Sequence, residues 1–201
     1  MSLDKVEFGK VFGIPVVLDV TFILIAVLYG MHYFTAGSLD QFSYGLILVA
    51  GIAVSILLHE FGHAIAGRYY GIPTTHIELN GCGGLCHFAR ALPAGRWPNV
   101  VVLLAGPAVT AILWLAFRAL SDGLADLPES AGPVGGIERL SELSWHLGVI
   151  NYWLLIFNLM PSHPLDGGRS LAHILSRWLG YDRAMWLVAM TGMLVVAWLV
   201  L

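Results

Sequence analysis

The run His59-Glu60-Phe61-Gly62-His63 sets two imidazoles four positions apart around a carboxylate. On an α-helix such positions share one face and lie about 6 Å apart along the axis. Two imidazoles so placed can reach one tetrahedral zinc. Glu60 follows the first of them by one residue, which aims its carboxylate beside the metal. There it can take a proton from water activated by the metal. The motif ends an almost uninterrupted apolar run, Ile47 to Leu58. Ionisable groups at membrane depth are costly and default to function.

Zinc in a hydrolytic site needs a third protein ligand and an open position. The extended soluble pattern is absent, because Ala66 and Tyr69 stand where it has Gly and His. Candidates for the third ligand are Glu78, His146, His163, Asp166 and His173. Asp166 is the best of them. Pro161 and Pro164 break the preceding helix, and Gly167 and Gly168 let the backbone turn just after the carboxylate. The plain alternative makes Asp166 an N-cap for a helix starting near Gly167. Cys82, Cys86 and His87 could bind a second metal only with a further ligand. Packing of small polarizable side chains is the better reading of that group.

The elements that must position these residues read as membrane spans. The chain has 201 residues, 58% hydrophobic and 11% charged, with mean hydropathy +0.78. A soluble domain carries about 25% charged residues. A net charge of −3 and the lack of any basic run exclude a nucleic-acid partner. Five apolar stretches come near the roughly 20 residues needed to span. They run over 16–34, 45–69, 99–120, 144–160 and 184–201, with a short helix expected over 170–180. Asp19 reads as a helix-end residue, and His32 and Asp40 as loop. His146 and Asn151 read as bundle contacts, and Trp97, Trp145 and Trp178 as interface anchors.

Arg68, Arg90 and Arg96 follow the second stretch, and Arg169, Arg177 and Arg183 precede the fifth. An acidic segment with Asp122, Asp126, Glu129, Glu138 and Glu142 follows the third. Positive loops stay cytoplasmic, so the histidine motif is expected on the cytoplasmic side. The N-terminal residues lack signal-peptide order, so the first stretch is expected to be a retained span. No repeat or linker divides the chain, and a single membrane domain over residues 1–201 is expected.

His59-Glu60-x-x-His63 in one apolar helix, then Asn158-x-x-Pro161-x-x-Pro164-Leu165-Asp166-Gly167-Gly168, resembles the site-2 protease family of intramembrane metalloproteases. The resemblance covers most of the chain, from the second span to Arg169. It implies an all-α polytopic membrane protein, a bundle of about five to six transmembrane helices with a short membrane-associated β-hairpin. It also implies one zinc per chain held by His59, His63 and Asp166, with Glu60 as catalytic base. Asn158 would be an oxyanion or substrate contact. Residues 76–88 resemble the family's hairpin, with Ile77, Leu79, Gly83, Gly84 and Leu85 as candidates to pair with an unwound substrate strand. Ala105-Gly106-Pro107 resembles a further family motif, with Thr110 where an Asn often stands, and His163 stands where many members have an apolar residue or proline.

The implied partners are the lipid bilayer and a transmembrane protein substrate, in a prokaryotic cell membrane, with neither PDZ nor CBS domain expected and no accessory protein identified. The competing reading is a non-proteolytic metal-binding membrane protein, a transporter or metal sensor, in which Glu60 would not act as a base.

Overall fold

The computed structural model of the protein describes residues 5–91, 96–127 and 135–200. In chain order they form β1 (Lys5–Val11), β2 (Ile14–Asp19), α1 (Val20–Phe34), α2 (Leu39–Tyr69), β3 (Thr74–Asn80) and β4 (Gly83–Phe88). Then follow α3 (Arg96–Ala125), α4 (Gly136–Leu159), α5 (Asp166–Leu179) and α6 (Tyr181–Val200). The fold is mostly helical, but it is not all-α. The expected hairpin over 76–88 is half of a four-stranded sheet, ordered β1-β2-β3-β4.

The N-terminal strands correct the expectation of a helix beginning at Val16. Residues 16–18 of β2 pair in parallel with 77–79 of β3, and β1 folds back antiparallel on β2. Phe12 and Gly13 make the turn with φ of 49° and 80°, the two positive values that a tight two-residue hairpin demands. The helix starts only after Asp19, whose carboxylate accepts from the Thr21 backbone N–H at 2.8 Å. Thr21 Oγ1 in turn accepts from the Gly81 N–H at 2.9 Å, tying the start of α1 to the β3–β4 turn.

Alternation along β3 sends Ile77 and Leu79 to one face of the sheet, against Phe61 and Ala64 of α2. This cluster fixes the sheet against the last third of α2, where the histidines sit. The sheet also corrects the expectation that Ile77 and Leu79 could pair with a substrate strand. β3 is paired on both sides, with β2 and with β4. Ile77 and Leu79 are therefore interior to the sheet and offer no edge to an incoming strand. Of the expected pairing residues, Gly83, Gly84 and Leu85 remain, on β4 at the end of the strand order.

Among the described residues, two helices, Leu39–Tyr69 and Trp97–Ala125, are long and apolar enough to cross a membrane by length and composition, and Val20–Phe34 is a shorter apolar helix. Five were expected. α4 is longer than the expected span, starting at Gly136 rather than Ser144, so Glu138 and Glu142 lie on a helix instead of a loop. Asp122 likewise lies within α3. The rest of the expected acidic loop, 128–134, lies outside the described residues. Asp40, read as loop, is in the first turn of α2 and pairs with Arg139 of α4. Asn151 bridges the bundle as expected, donating to Ser55 Oγ at 3.0 Å.

α2 and α3 approach closely where the site forms. A Cβ on Gly62 would lie 2.6 Å from the Ala105 carbonyl oxygen, a backbone atom that cannot turn away. Gly62→Ala should therefore destabilise the protein by about 1–3 kcal/mol, the cost of overpacking a close-packed interior. A melting temperature in detergent equal to wild type would contradict this packing.

Candidate metal centre

His59 and His63 lie one turn apart on α2, both buried. His63 Nδ1 sits 2.7 Å from the Val102 carbonyl oxygen. A carbonyl only accepts, so Nδ1 carries the proton and Nε2 keeps its lone pair. His59 Nδ1 is 2.7 Å from Thr110 Oγ1, and that hydroxyl donates onward to the Gly106 carbonyl at 3.2 Å. The hydroxyl oxygen is then the acceptor, and His59 also presents a bare Nε2. Both partners come from α3. Gly106 lies between them because a Cβ there would overlap both Nε2 atoms.

Asp166 opens α5, at the broken segment after α4. The tight turn depends on its two glycines. A Cβ on Gly167 would overlap the backbone of Leu159, and one on Gly168 that of Ser162. α6 buttresses the same segment, since Thr191 Oγ1 donates to the Pro161 carbonyl at 2.8 Å. Asp166 is not the N-cap; Leu165 is, and the carboxylate points to the histidines instead. Asp166 Oδ2 lies 3.1 Å from His59 Nε2 and 3.2 Å from His63 Nε2, and the two Nε2 atoms are 3.2 Å apart.

That triangle tests the fit of a metal. Three lone-pair atoms face each other, and the only neutral-ring protons point away to Thr110 and Val102. Such a set repels itself unless a cation sits among it or a second proton is driven onto a buried ring. Tetrahedral zinc with N and O ligands at about 2.0–2.1 Å spaces them about 3.3–3.4 Å apart. The observed separations nearly match, so the residues fit zinc.

Glu60 is buried beside the triangle. Its carboxylate lies against Gly84 of β4, where a Cβ would overlap it, and it accepts from the Cys86 backbone N–H. His59, Glu60, His63, Asp166, Leu85 and Asn158 all line one cavity of about 420 Å³. Asn158 spends one amide proton on its own helix, donating to the Leu154 carbonyl at 2.9 Å. A larger cavity of about 900 Å³ near Ser121 and His146 has no histidine pair and lies apart from this centre.

The other third-ligand candidates are elsewhere. Glu78 is on the sheet, bonded to Lys5. His146 Nδ1 bonds the Tyr44 hydroxyl at 2.8 Å. His163 is exposed, and His173 packs on the Tyr181 ring. Burial pushes the Cys86 thiol up to about 12, so it stays protonated and makes a poor ligand. Sequence reasoning did not assign roles to Thr110 and Val102. Thr110 had a signal, a hydroxyl in an apolar span one turn past Gly106-Pro107. Val102 had none, because it acts through its backbone.

The fold and the site together define a mostly helical scaffold in which an HExxH motif and a carboxylate converge on one metal-sized triangle. A zinc metalloprotease of Methanocaldococcus jannaschii is 29% identical over 189 residues, 94% of this chain and 50% of the relative. A Synechocystis protein provisionally named a zinc metalloprotease is 30% identical over 178 residues, 85% of this chain and 44% of its own length. A solved structure, the site-2 protease from Methanocaldococcus jannaschii, superposes with a TM-score of 0.65 at 29% identity, covering 94% of this chain and 79% of that one. The chain is thus similar in sequence to zinc metalloproteases and in sequence and fold to a site-2 protease. It spans about half the length of the relatives it matches in sequence. No family model matches the chain.

Thr110→Val keeps the shape at position 110 but leaves the His59 Nδ1–H without an acceptor. Partners that orient a metal-binding histidine are worth about 10–100-fold in affinity. Competition against a zinc chelator should show a loss in that range for Thr110→Val and near wild-type affinity for Thr110→Ser. Equal affinities in all three proteins would show that Thr110 does not orient the ring.

Proposed function

We propose that this chain is an intramembrane zinc metalloprotease that hydrolyses peptide bonds within or beside transmembrane segments of other membrane proteins. The observation that carries the reading is the triangle of bare lone pairs with Glu60 beside it. In this reading His59, His63 and Asp166 hold one zinc. Bound there, zinc supplies the Lewis acidity that makes water a nucleophile at neutral pH. Glu60 accepts the proton of the attacking water and hands it to the leaving amine. Its contact with Gly84 and the Cys86 N–H holds the carboxylate at the cavity wall, so little reorientation is needed between the two transfers. Asn158 lines the same cavity with one amide proton uncommitted to Leu154, and we assign it to the substrate carbonyl.

The membrane reading rests on the surface of the helices. α1 exposes Ile23, Leu24, Ile25, Val27, Leu28 and Met31, more contiguous apolar surface than water tolerates. We read the helices as a five- to six-span bundle in a prokaryotic cell membrane. The histidines lie 6 to 10 residues before Tyr69, the end of α2, about 9–15 Å inside it at the helical rise. Arg68 in the last turn and Arg90 beyond that end favour the cytoplasmic side. A helical substrate hides its carbonyls, so it must unwind before attack. β4 at the cavity wall is the strand edge that could receive the unwound segment.

Glu60→Gln should cut cleavage of a single-span membrane substrate by about 10²–10⁴-fold, with zinc content unchanged. A transporter would keep its flux in this variant, and cleavage within a few-fold of wild type would refute the assignment of the base. Leu85→Pro should slow cleavage much more than it reduces zinc content, because proline removes a donor and disfavours the strand. Normal cleavage by Leu85→Pro would move substrate docking away from β4.

A further inference from the structure

Strand alternation that sends Ile77 and Leu79 toward α2 must send His76 and Glu78 to the opposite face of the sheet. The β3–β4 register sets His87 directly across from His76. Their rings stack at 4.1 Å with an interplanar angle of 10°. Glu78 lies among them with only 9% of its side chain exposed. One donor atom from each of His76, Glu78 and His87 lies within 4.8 Å of the others.

Two features make this group more than a polar surface patch. His87 Nε2 is buried and has no hydrogen-bond partner, facing Glu78 Oε2 at 3.5 Å, beyond hydrogen-bond range. The Glu78 carboxylate is nearly enclosed and needs a cation, because a buried charge is costly unless paired. At present Lys5 supplies it, with Nζ 2.6 Å from Oε2. Burial and the neighbouring His76 hold the pKa of His87 below the ordinary histidine value, so its ring is neutral and keeps a lone pair at neutral pH.

We propose that His76, Glu78 and His87 form a second binding site for a divalent transition-metal cation of the zinc type, on the sheet face opposite the HExxH cavity, with Lys5 as its built-in competitor. Two imidazoles and one carboxylate are a donor set that zinc accepts with water in the fourth position. Loading requires two local movements. The Lys5 ammonium leaves Glu78, and one imidazole turns out of the stack so that both ring lone pairs converge. Neither movement disturbs the core under the sheet, which is made by the opposite side chains. A bound cation would lock β3 to β4 directly behind Gly84, the residue against which Glu60 packs. The inference rests on the sheet alone and does not require the protease reading.

The test is zinc stoichiometry and affinity on the purified full chain in detergent, by equilibrium dialysis and elemental analysis. The wild type should reach two zinc ions per chain at saturation. His59→Ala/His63→Ala should retain one, and adding His87→Ala should remove it. His76→Gln, which keeps a polar side chain in the stack, should weaken the same zinc. Lys5→Met should tighten it by about two- to fivefold, the range of a competing exposed ion pair, without changing the first site. A single zinc in both wild type and Lys5→Met overturns the site. So does a second zinc that survives His87→Ala, which would be bound adventitiously. Loss of the first zinc alone would count against the HExxH centre and leave this site standing.

Discussion

Three lone-pair atoms that share no proton are held within 3.2 Å of one another inside a helical bundle. That electrostatic constraint governs the arrangement around it. Bare Nε2 atoms require protons on Nδ1, and buried N–H groups require acceptors. The acceptors are a hydroxyl and a carbonyl of α3, so α3 must lie directly against the histidine face of α2. The carboxylate must arrive from a third direction, which a continuous helix could not supply. The break between α4 and α5 supplies it.

Close approach is therefore the packing theme, and glycine is how the chain achieves it. Gly62 and Gly106 remove the side chains that would keep α2 and α3 apart or fill the metal position. Gly167 and Gly168 let α5 start against the backbone it has just left. Gly192 does the same for α6, where a Cβ would overlap Ser162. At Gly62, Gly106, Gly167 and Gly168 the opposing atoms are backbone or histidine ring atoms held by their partners, which cannot rotate away, so these positions tolerate no side chain. The sheet closes the remaining side, with Ile77 and Leu79 anchored on α2 and Gly84 pressed against Glu60. One strand thus contributes to the core while its alternate residues, His76 and Glu78, gather a separate polar cluster.

Much of the centre was legible in the sequence because its signals are local. The i, i+4 spacing of His59 and His63 needs only helical periodicity. Asp166 stood out because prolines and glycines advertise a broken backbone, although the sequence left an N-cap role open. The sheet was harder. β1 and β2 are short, and the apolar residues of β2 run directly into those of α1, so they read as the start of a span. Only their pairing with β3, some sixty residues away, makes them strands. The same non-local pairing removes Ile77 and Leu79 from the free edge, since a strand's edge status depends on its neighbours and not on its own residues.

The sequence by itself determined the donor types, the helix that carries two of them, the break that presents the third and the apolar character of the helices. These follow from side-chain chemistry and from backbone preferences a few residues long. The tertiary structure alone decided which candidate carboxylate or imidazole meets the histidine pair, which α3 groups fix their protons and which strand forms the cavity wall. It also set His87 against His76 and brought Lys5 to Glu78. Those are distances between residues remote in the chain, and only the packing of α2, α3 and α5 on one another and on the sheet sets them.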